Sequence, residues 1–203
     1  EKELAQILDI SFITHYHKDH FARSVSKVLI EESDCIFVIP ESCLEVAKEL
    51  KIPPERIKIA IPRKNFKISG VKVTPIRAIH GNADYAIYYK ANLKDCGYLI
   101  EVDGKRFLQP GDSFLLEDHL FLKDIDVLFF SPTEHNMHIK NSLTLINRLE
   151  PKYILPQHHS TVIVNSNTFF WAKGYHKEVK EKLSKKLKDR YYILKEGDNL
   201  LIQ

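Results

Sequence analysis

The sequence predicts a single α/β domain over residues 1–203, with strands and helices alternating at both ends of the chain around a β-rich middle. The apolar residues switch along the chain between the 3.6-residue period of helices and the two-residue period of strands. No internal repeat, low-complexity tract or Gly/Ser linker divides the chain, and its length suffices for one substantial core. With 44% hydrophobic and 28% charged residues, the composition is typical of a folded globular protein.

The first part of the chain alternates between strands and helices. The apolar segment DISFIT predicts a strand that runs directly into residues 15–20, after a short helical segment near its start. The elements that follow are a helix in FARSVSKVLIEES, a strand in CIFVIP that Pro40 stops, and a helix in ESCLEVAKELK.

The middle part has the two-residue period of strands, and the last part returns to alternation. RIKIAI, FKI and VKVTPIRAIH predict strands, and CGYLIEVDGKRFLQPGD predicts a hairpin whose DG turn is a strong local signal. The remaining predictions are a helix or loop in SFLLEDHLFL, strands in DVLFFSP and KYILP, a helix in NSLTLINRLEP, a long helix from Trp171 to Leu187, and a final strand pair in YYILKEGDNLLIQ.

Charge, hydropathy and cysteine usage exclude several classes of protein. The 30 basic residues nearly match the 27 acidic ones, so the net charge of +3 does not indicate a nucleic-acid partner. No apolar run is long enough for a membrane span and no signal peptide is recognisable, so we expect a cytoplasmic protein without a membrane partner. Cys35, Cys43 and Cys96 are odd in number and lack CxxC spacing, which favours buried thiols over disulfides or a zinc knuckle.

A cluster of metal-ligand residues follows the first predicted strand. The segment ITHYHKDH contains His15, His17, Asp19 and His20, although only 10 of the 203 residues are histidines. Chance placement on a surface loop is the alternative, and this density argues against it. Imidazole and carboxylate ligands suit zinc, manganese or iron, and the absence of a nearby cysteine disfavours a closed structural zinc site. We therefore predict a catalytic metal site in which loop side chains converge at the end of a strand.

This segment resembles the HxHxDH signature of the metallo-β-lactamase superfamily, and later motifs follow in the family's order. They are His80 in TPIRAIH, Asp112 in GYLIEVDGKRFLQPGDS and His158 in YILPQHHS. Within the superfamily, the chain is most similar to the group of L-ascorbate-6-phosphate lactonase. The resemblance implies an αββα sandwich of two mixed sheets with helices outside. The family also has strands before the histidine cluster, so we expect residues 1–203 to form an N-terminally incomplete domain that lacks them, with a shortened variant of the fold as the alternative.

The resemblance implies two divalent metal ions, with zinc favoured and manganese or iron as alternatives. The first ion would lie on His15, His17 and His80, the second on Asp19, His20 and His158, with Asp112 bridging both. Such a pair would share a hydroxide and hold the attacking and leaving oxygens of a hydrolysis reaction. Spacing alone leaves both His158 and His159 open as the last ligand, and the family's P-x-H pattern favours His158.

Catalytic roles are predicted for Asp19, Asp112 and His138. His135 and His138 follow the strand DVLFF, at the sheet edge where substrate contacts belong, and one of them would bind substrate or protonate a leaving group. Helix capping by these polar residues is the alternative. Tyrosines and an aspartate after His80 are candidates for the pocket rim; they are Asp84, Tyr85, Tyr88 and Tyr89.

The predicted function is hydrolysis of a small ester, lactone or phosphoester, with a small-molecule substrate as partner. A nuclease or phosphodiesterase of ribonuclease Z type is the alternative, because that enzyme uses the same metal cage. The basic segment 173–190 is better explained by i,i+4 ion pairs on a solvated helix face than by nucleic-acid binding. A non-catalytic binding module is a third hypothesis, and the full set of ligand residues argues against it. A homo-oligomer is compatible with the sequence.

Overall fold

The computed structural model describes residues 2–81, 87, 89, 91–159, 175–195 and 197–203. Within them, three parallel strands form one sheet in the order β1-β2-β3, and six strands form a second sheet in the order β4 to β9. The first sheet contains β1 (Ile10–Phe12), β2 (Ile36–Pro40) and β3 (Ile57–Ala60). The second contains β4 (Phe66–Ile68), β5 (Val71–Arg77), β6 (Cys96–Val102), β7 (Lys105–Gln109), β8 (Val127–Phe130) and β9 (Tyr153–Pro156).

The second sheet is mixed. Strands β4 to β7 pair antiparallel, whereas β7, β8 and β9 pair parallel. Strands β5, β7, β8 and β9 therefore run in the same direction and end at one edge of the sheet. The candidate ligands His80, Asp112 and His158 follow β5, β7 and β9 at this edge.

Helices cover the outer faces of both sheets. The helices of the described residues are α1 (Lys2–Ala5), α2 (Arg23–Glu32), α3 (Leu44–Glu49), α4 (Glu117–Leu120), α5 (His138–Leu149), α6 (Tyr175–Lys182) and α7 (Lys185–Lys188). Short 3-10 turns at Glu41–Cys43 and Pro54–Arg56 precede α3 and β3. None of these helices is long and apolar enough to cross a membrane.

Side-chain alternation along β2 shows how the layers form. Phe37 and Ile39 pack with Leu29 of α2, whereas Val38 packs with Val73 of β5 and with Tyr98. One face of the strand thus contacts a helix and the other contacts the second sheet, as the two-residue period of a strand requires. The Tyr98 hydroxyl donates a 2.6 Å hydrogen bond to the carbonyl of residue 13 and joins the two sheets.

The outer face of the second sheet buries the helices of the C-terminal half. Leu128 of β8 and Ile154 of β9 pack with Leu145 of α5 and with Val179 of α6. The layers therefore follow in the order helix, sheet, sheet, helix. The αββα fold expected from the sequence is confirmed.

The predicted hairpin is also confirmed. Strands β6 and β7 pair from Tyr98↔Gln109 to Val102↔Lys105. Asp103 and Gly104 connect them with φ of 49° and 72°, the left-handed conformation that a two-residue hairpin turn requires. The ambiguous segment SFLLEDHLFL forms a single helical turn, α4.

The prediction of one long helix from Trp171 to Leu187 is wrong for the residues that the structure describes. The chain forms α6 and α7 instead, with Ser184 in an extended conformation (φ −61°, ψ 157°) between them. Its carbonyl accepts hydrogen bonds from the backbone N–H groups of Leu187 and Lys188, so that a new helix begins there. Serine is common at such helix starts, although the Ser184 side chain forms no capping hydrogen bond here. Residues 171–174 lie outside the described part of the chain.

The prediction of a final strand pair is also wrong for the residues that are described after α7. Only a bridge between Ile154 and Tyr191 forms there. The backbone around Tyr191 is already hydrogen-bonded to the exposed edge of β9, since Ile154 accepts from Tyr192 N and donates to the carbonyl of Arg190. The alternating pattern thus reflects packing against β9 and not a separate hairpin.

Candidate metal centre

The loop that follows β1 lies between the two sheets. Ile13 N donates to the carbonyl of Val38, and Cys96 N at the start of β6 donates to the carbonyl of Thr14. His20 N and Phe21 N then both bond to the carbonyl of His17, which closes a tight turn over residues 17–21. The backbone thereby holds the histidine-rich loop against the edge at which β5, β7, β8 and β9 end.

The first group of ligand side chains is His15, His17 and His80. Nε2 of His15 lies 3.1 Å from Nε2 of His80, and the ring centroid of His17 lies 4.5 Å from that of His15 and 4.9 Å from that of His80. One ligand atom from each of the three lies within 4.8 Å of the others. His15 and His80 are buried, and His17 is half-buried.

The second group is Asp19, His20 and His158. Nε2 of His20 lies 2.9 Å from Nε2 of His158 and 3.6 Å from Oδ2 of Asp19. Asp19 is the exposed member of this group, with 70% of its side chain accessible. The solvent side of the centre is therefore at Asp19.

Asp112 lies between the two groups. Its carboxylate is 3.4 Å from His20 Nε2, 3.3 Å from His158 Nε2 and 3.7 Å from His80 Nε2. Gly111 directs the chain into this position with φ of 71°, and a Cβ there would lie only 3.2 Å from the carbonyl oxygen of Cys96. A glycine is needed both for the left-handed conformation and for this close approach.

Burial and the Asp112 charge set the protonation states. Burial lowers the pKa of His15 to about 2 and that of His80 to about 4. Burial opposes ionisation of Asp112, but the surrounding histidines, led by His158, hold its pKa well below the ordinary value. For His20, burial is likewise outweighed by the hydrogen bond and the charge of Asp112, which raise its pKa.

Thr14 orients two of these imidazoles. Its Oγ1 lies 3.0 Å from Nδ1 of His15 and 3.5 Å from Nδ1 of His20. When Nδ1 carries the proton and donates it to Thr14, the lone pair of Nε2 faces the centre. The sequence prediction did not assign this role to Thr14, although a hydroxyl residue directly before the first histidine is a signal that could have suggested it.

A pair of glutamines joins the loops of Asp112 and His158. Gln109 accepts a hydrogen bond from Gly111 N and donates to Oε1 of Gln157 at 2.7 Å. Gln157 N in turn donates to the carbonyl of Phe130. Neither glutamine was identified from the sequence.

The sequence left open whether His158 or His159 is the last ligand, and the structure places these two neighbours differently. His158 faces Asp112 with a positive φ of 57°, whereas the ring of His159 stacks on His176 at 4.6 Å. His135 also faces the centre, with Nε2 3.9 Å from Asp112. Among the described ligand groups, His135 occurs beside His80 and Asp112, and His138 occurs in none.

His138 lies at the start of α5 and is paired with an acidic residue. Its Nε2 is 3.2 Å from Oε2 of Glu134, which also accepts a hydrogen bond from the Tyr175 hydroxyl at 3.1 Å. The predicted rim residues Asp84, Tyr85 and Tyr88 lie outside the described part of the chain.

The donor set fits divalent cations. Imidazole nitrogens with depressed pKa values are neutral, and several converge around a carboxylate that is ionised. Facing Nε2 atoms at 2.9 and 3.1 Å leave lone pairs directed at the same space, which a cation would satisfy. The residues available for this are His15, His17, Asp19, His20, His80, Asp112, His135 and His158.

The chain resembles known proteins in both sequence and structure. The family model described as "Beta-lactamase superfamily domain" matches residues 2–158. A UPF0173 metal-dependent hydrolase of Carboxydothermus hydrogenoformans is 29% identical over 160 residues, which make up 75% of this chain and 67% of that protein.

Two solved structures share the fold. Igni18, a metallo hydrolase from Ignicoccus hospitalis, superposes with a TM-score of 0.69 at 20% identity and covers 94% of this chain and 77% of its own. An isothiocyanate hydrolase from Delia radicum gut bacteria superposes with a TM-score of 0.71 at 16% identity, and the match covers 98% of this chain and 78% of that protein's chain. At these identities the two neighbours bear on the fold alone.

Proposed function

The chain belongs to the β-lactamase superfamily and is related to metal-dependent hydrolases, and from this premise we propose that it hydrolyses a small ester, lactone or phosphoester at a centre of two divalent cations. The observation that carries the proposal is the position of Asp112 between two groups of ligand side chains. A carboxylate shared by two adjacent cation sites is the arrangement expected for a dinuclear hydrolytic centre.

The proposed ligand set has two parts. His15, His17 and His80 would hold one cation, and Asp19, His20 and His158 the other, with Asp112 facing both. Zinc is favoured because imidazole predominates, while the carboxylates leave manganese and iron as alternatives. The free cysteines Cys35, Cys43 and Cys96 are buried elsewhere and supply no thiolate to these groups of the described residues.

Bound divalent cations would generate a nucleophile from water near neutral pH and polarise the carbonyl or phosphoryl oxygen of the substrate. The protein's own residues prepare the site for this chemistry. Thr14 fixes the rings of His15 and His20, and the neighbouring histidines keep Asp112 ionised. Burial keeps His80 neutral so that its lone pair is available. Little reorganisation is therefore needed on binding.

The solvent side of the centre offers substrate contacts. The Asp19 carboxylate is exposed there, and we propose that it takes part in substrate turnover as well as in cation binding. His138 is held by Glu134, the residue directly before His135 in the chain. We propose that Nε2 or Nδ1 of His138 contacts the leaving group of a substrate that projects from the centre.

The small-molecule substrate class is preferred to RNA because two of the basic residues of the C-terminal helices form ion pairs with acidic residues. Lys182 lies 3.7 Å from Glu178, and Lys186 contacts Glu150. These ion pairs support a solvated helix face rather than a phosphate-binding surface. The lactonase-like group named above remains our preferred affiliation within the superfamily.

The test is hydrolysis by the zinc-reconstituted protein with a panel of small aryl esters, lactones, phosphomonoesters, phosphodiesters and a short RNA. We expect turnover of one of the small substrates, and its loss in His80→Ala together with loss of bound zinc. His159→Ala is the matched control, since the ring of His159 stacks on His176 and is not among the proposed ligands. Equal activity of wild type and His80→Ala would contradict the proposal, and turnover of RNA alone would favour the nuclease.

A further inference from the structure

A histidine outside the superfamily motif positions faces the carboxylate at the heart of the centre. Nε2 of His135 lies 3.9 Å from Oδ2 of Asp112, and the same oxygen is 3.7 Å from Nε2 of His80. The rings of His80 and His135 are parallel within 7°, with centroids 5.9 Å apart. The parallel rings of His80 and His135 thus each direct their Nε2 atom at Oδ2 of Asp112.

This geometry is compatible with one ion shared by the three side chains. One ligand atom each of His80, Asp112 and His135 lies within 4.8 Å of the other two. Two ligand atoms of a tetrahedral zinc ion, each about 2.0–2.1 Å from it, would lie about 3.3 Å apart. The separations of Asp112 Oδ2 from Nε2 of His80, 3.7 Å, and from Nε2 of His135, 3.9 Å, are slightly longer than this. A small side-chain adjustment would bring His135 into the coordination sphere of the cation held by His80.

The backbone of His135 is fixed in this orientation. Its carbonyl accepts a 3.1 Å hydrogen bond from the N–H of Gly81, the residue that follows His80. A Cβ at Gly81 would overlap the ring of Phe114, so the chain can pass this ring only because residue 81 is a glycine. The two imidazoles are therefore held by directly connected segments of chain.

The loop beneath His135 is also held from within. The Asn136 amide is fully buried and donates to Oγ of Ser131 at 2.9 Å and to Oγ1 of Thr133 at 2.8 Å. Such a network positions a ligand before the ion arrives and lowers the cost of ordering it. The side chain of His138, three residues after His135, contacts Glu134 instead.

We propose that His135 is an additional metal ligand, which completes the coordination of the cation on the His15, His17 and His80 side. This inference rests on the proposed metal centre. It makes the two cation sites unequal, because the His80 side gains an imidazole while the Asp19 side stays open to solvent and substrate. The Asp19 side is then the one at which a substrate oxygen enters.

The experiment is a zinc titration of chelator-stripped protein against a chromophoric competing chelator. We expect His135→Ala to weaken one of two zinc equivalents by more than tenfold and to leave the other unchanged. His138→Ala, a change in the same loop, should leave both affinities unchanged. The absorption spectrum of the cobalt(II)-substituted protein should also change in His135→Ala and not in His138→Ala.

Two replacements separate a ligand from a substrate contact. His135→Asp should restore tight zinc binding, because a carboxylate is a metal ligand, whereas His135→Gln should not. Unchanged zinc affinities in His135→Ala, with a raised KM that His135→Gln restores, would overturn the inference and leave the hydrolase proposal intact. A wild-type protein that binds no zinc would overturn both. Thermal unfolding of the metal-free variants checks that each one folds.

Discussion

Thr14 gives the sharpest test of how the proposed centre is organised, because its hydroxyl lies beside the rings of two proposed ligands, His15 and His20, and is not itself a proposed ligand. We consider Thr14→Val, which replaces the hydroxyl by a methyl group of similar size. The hydroxyl oxygen is 3.0 Å from Nδ1 of His15 and 3.5 Å from Nδ1 of His20. The first contact has the length of a good hydrogen bond and the second lies at the limit.

The two distances predict an unequal effect on the two proposed cation sites. Loss of a partner that orients a metal-ligating histidine typically costs 10- to 100-fold in metal affinity, or about 1.4–2.8 kcal/mol. The His15 ring is buried, so its Nδ1–H would have no water to replace Thr14. We therefore expect a loss within that range for the cation on His15, and a loss of less than about threefold for the cation on His20, whose bond is weaker.

The assay is the competitive zinc titration, applied to wild type, Thr14→Val and Thr14→Ser. The serine variant retains the hydroxyl and should bind zinc within about threefold of wild type, since only packing is lost. The reasoning would be refuted if Thr14→Val bound both equivalents as tightly as wild type, or if serine and valine had equal effects.

Three further changes test the fold around the centre. Gly111→Ala should lower the free energy of unfolding and weaken zinc binding. Gly104→Ala is the control, because φ is 72° there but a Cβ would meet open space; it should lower the unfolding free energy, measured by chemical denaturation, by only about 1 kcal/mol of backbone strain and leave zinc affinity unchanged. Equal effects of the two variants would contradict this. Asp118→Asn should cost about 1.5–3 kcal/mol, because hydrogen bonds from two arginine side chains hold the pKa of Asp118 below its ordinary 3.8. Because the pKa of Asp118 is lower in the folded protein, its carboxylate stabilises the wild type above pH 3.8, and this contribution is lost as the pH falls below that value. If the unfolding free energy of Asp118→Asn depended on acid pH as that of the wild type does, the assignment would be contradicted. Tyr98→Phe removes the hydroxyl that joins the sheets and should lower the unfolding free energy by about 1–2 kcal/mol, with zinc affinity unchanged; no loss of stability would argue against this link.

The parts of the fold that local patterns determine were predictable from the sequence. The turn at Asp103 and Gly104 follows from the conformational freedom of its residues, and the alternating faces of β2 follow from the period of its apolar side chains. The convergence of His15, His80 and Asp112 was also predictable, because each follows a strand and several strands end at one edge.

Features that depend on distant contacts were not predictable in the same way. The break at Ser184 competes with a strong helical pattern, and serine is neutral enough in helices that periodicity alone favours continuation. The residues near Tyr191 alternate like a strand but bond to the edge of β9, a partner that no local pattern identifies. His135 and His138 are both polar residues of one loop, and the contacts that orient them come from Gly81 and Glu134.

The most direct test of the account is elemental analysis of the protein purified without added metal or chelator and then reconstituted with zinc. Wild type, Asp112→Ala and Asp34→Ala should be measured together, with Asp34 as an exposed aspartate outside the described ligand groups. The account predicts about two equivalents per chain in wild type and in Asp34→Ala, and a clear fall in Asp112→Ala. Close to zero metal in wild type after reconstitution, or an unchanged content in Asp112→Ala, would contradict a dinuclear centre built around Asp112.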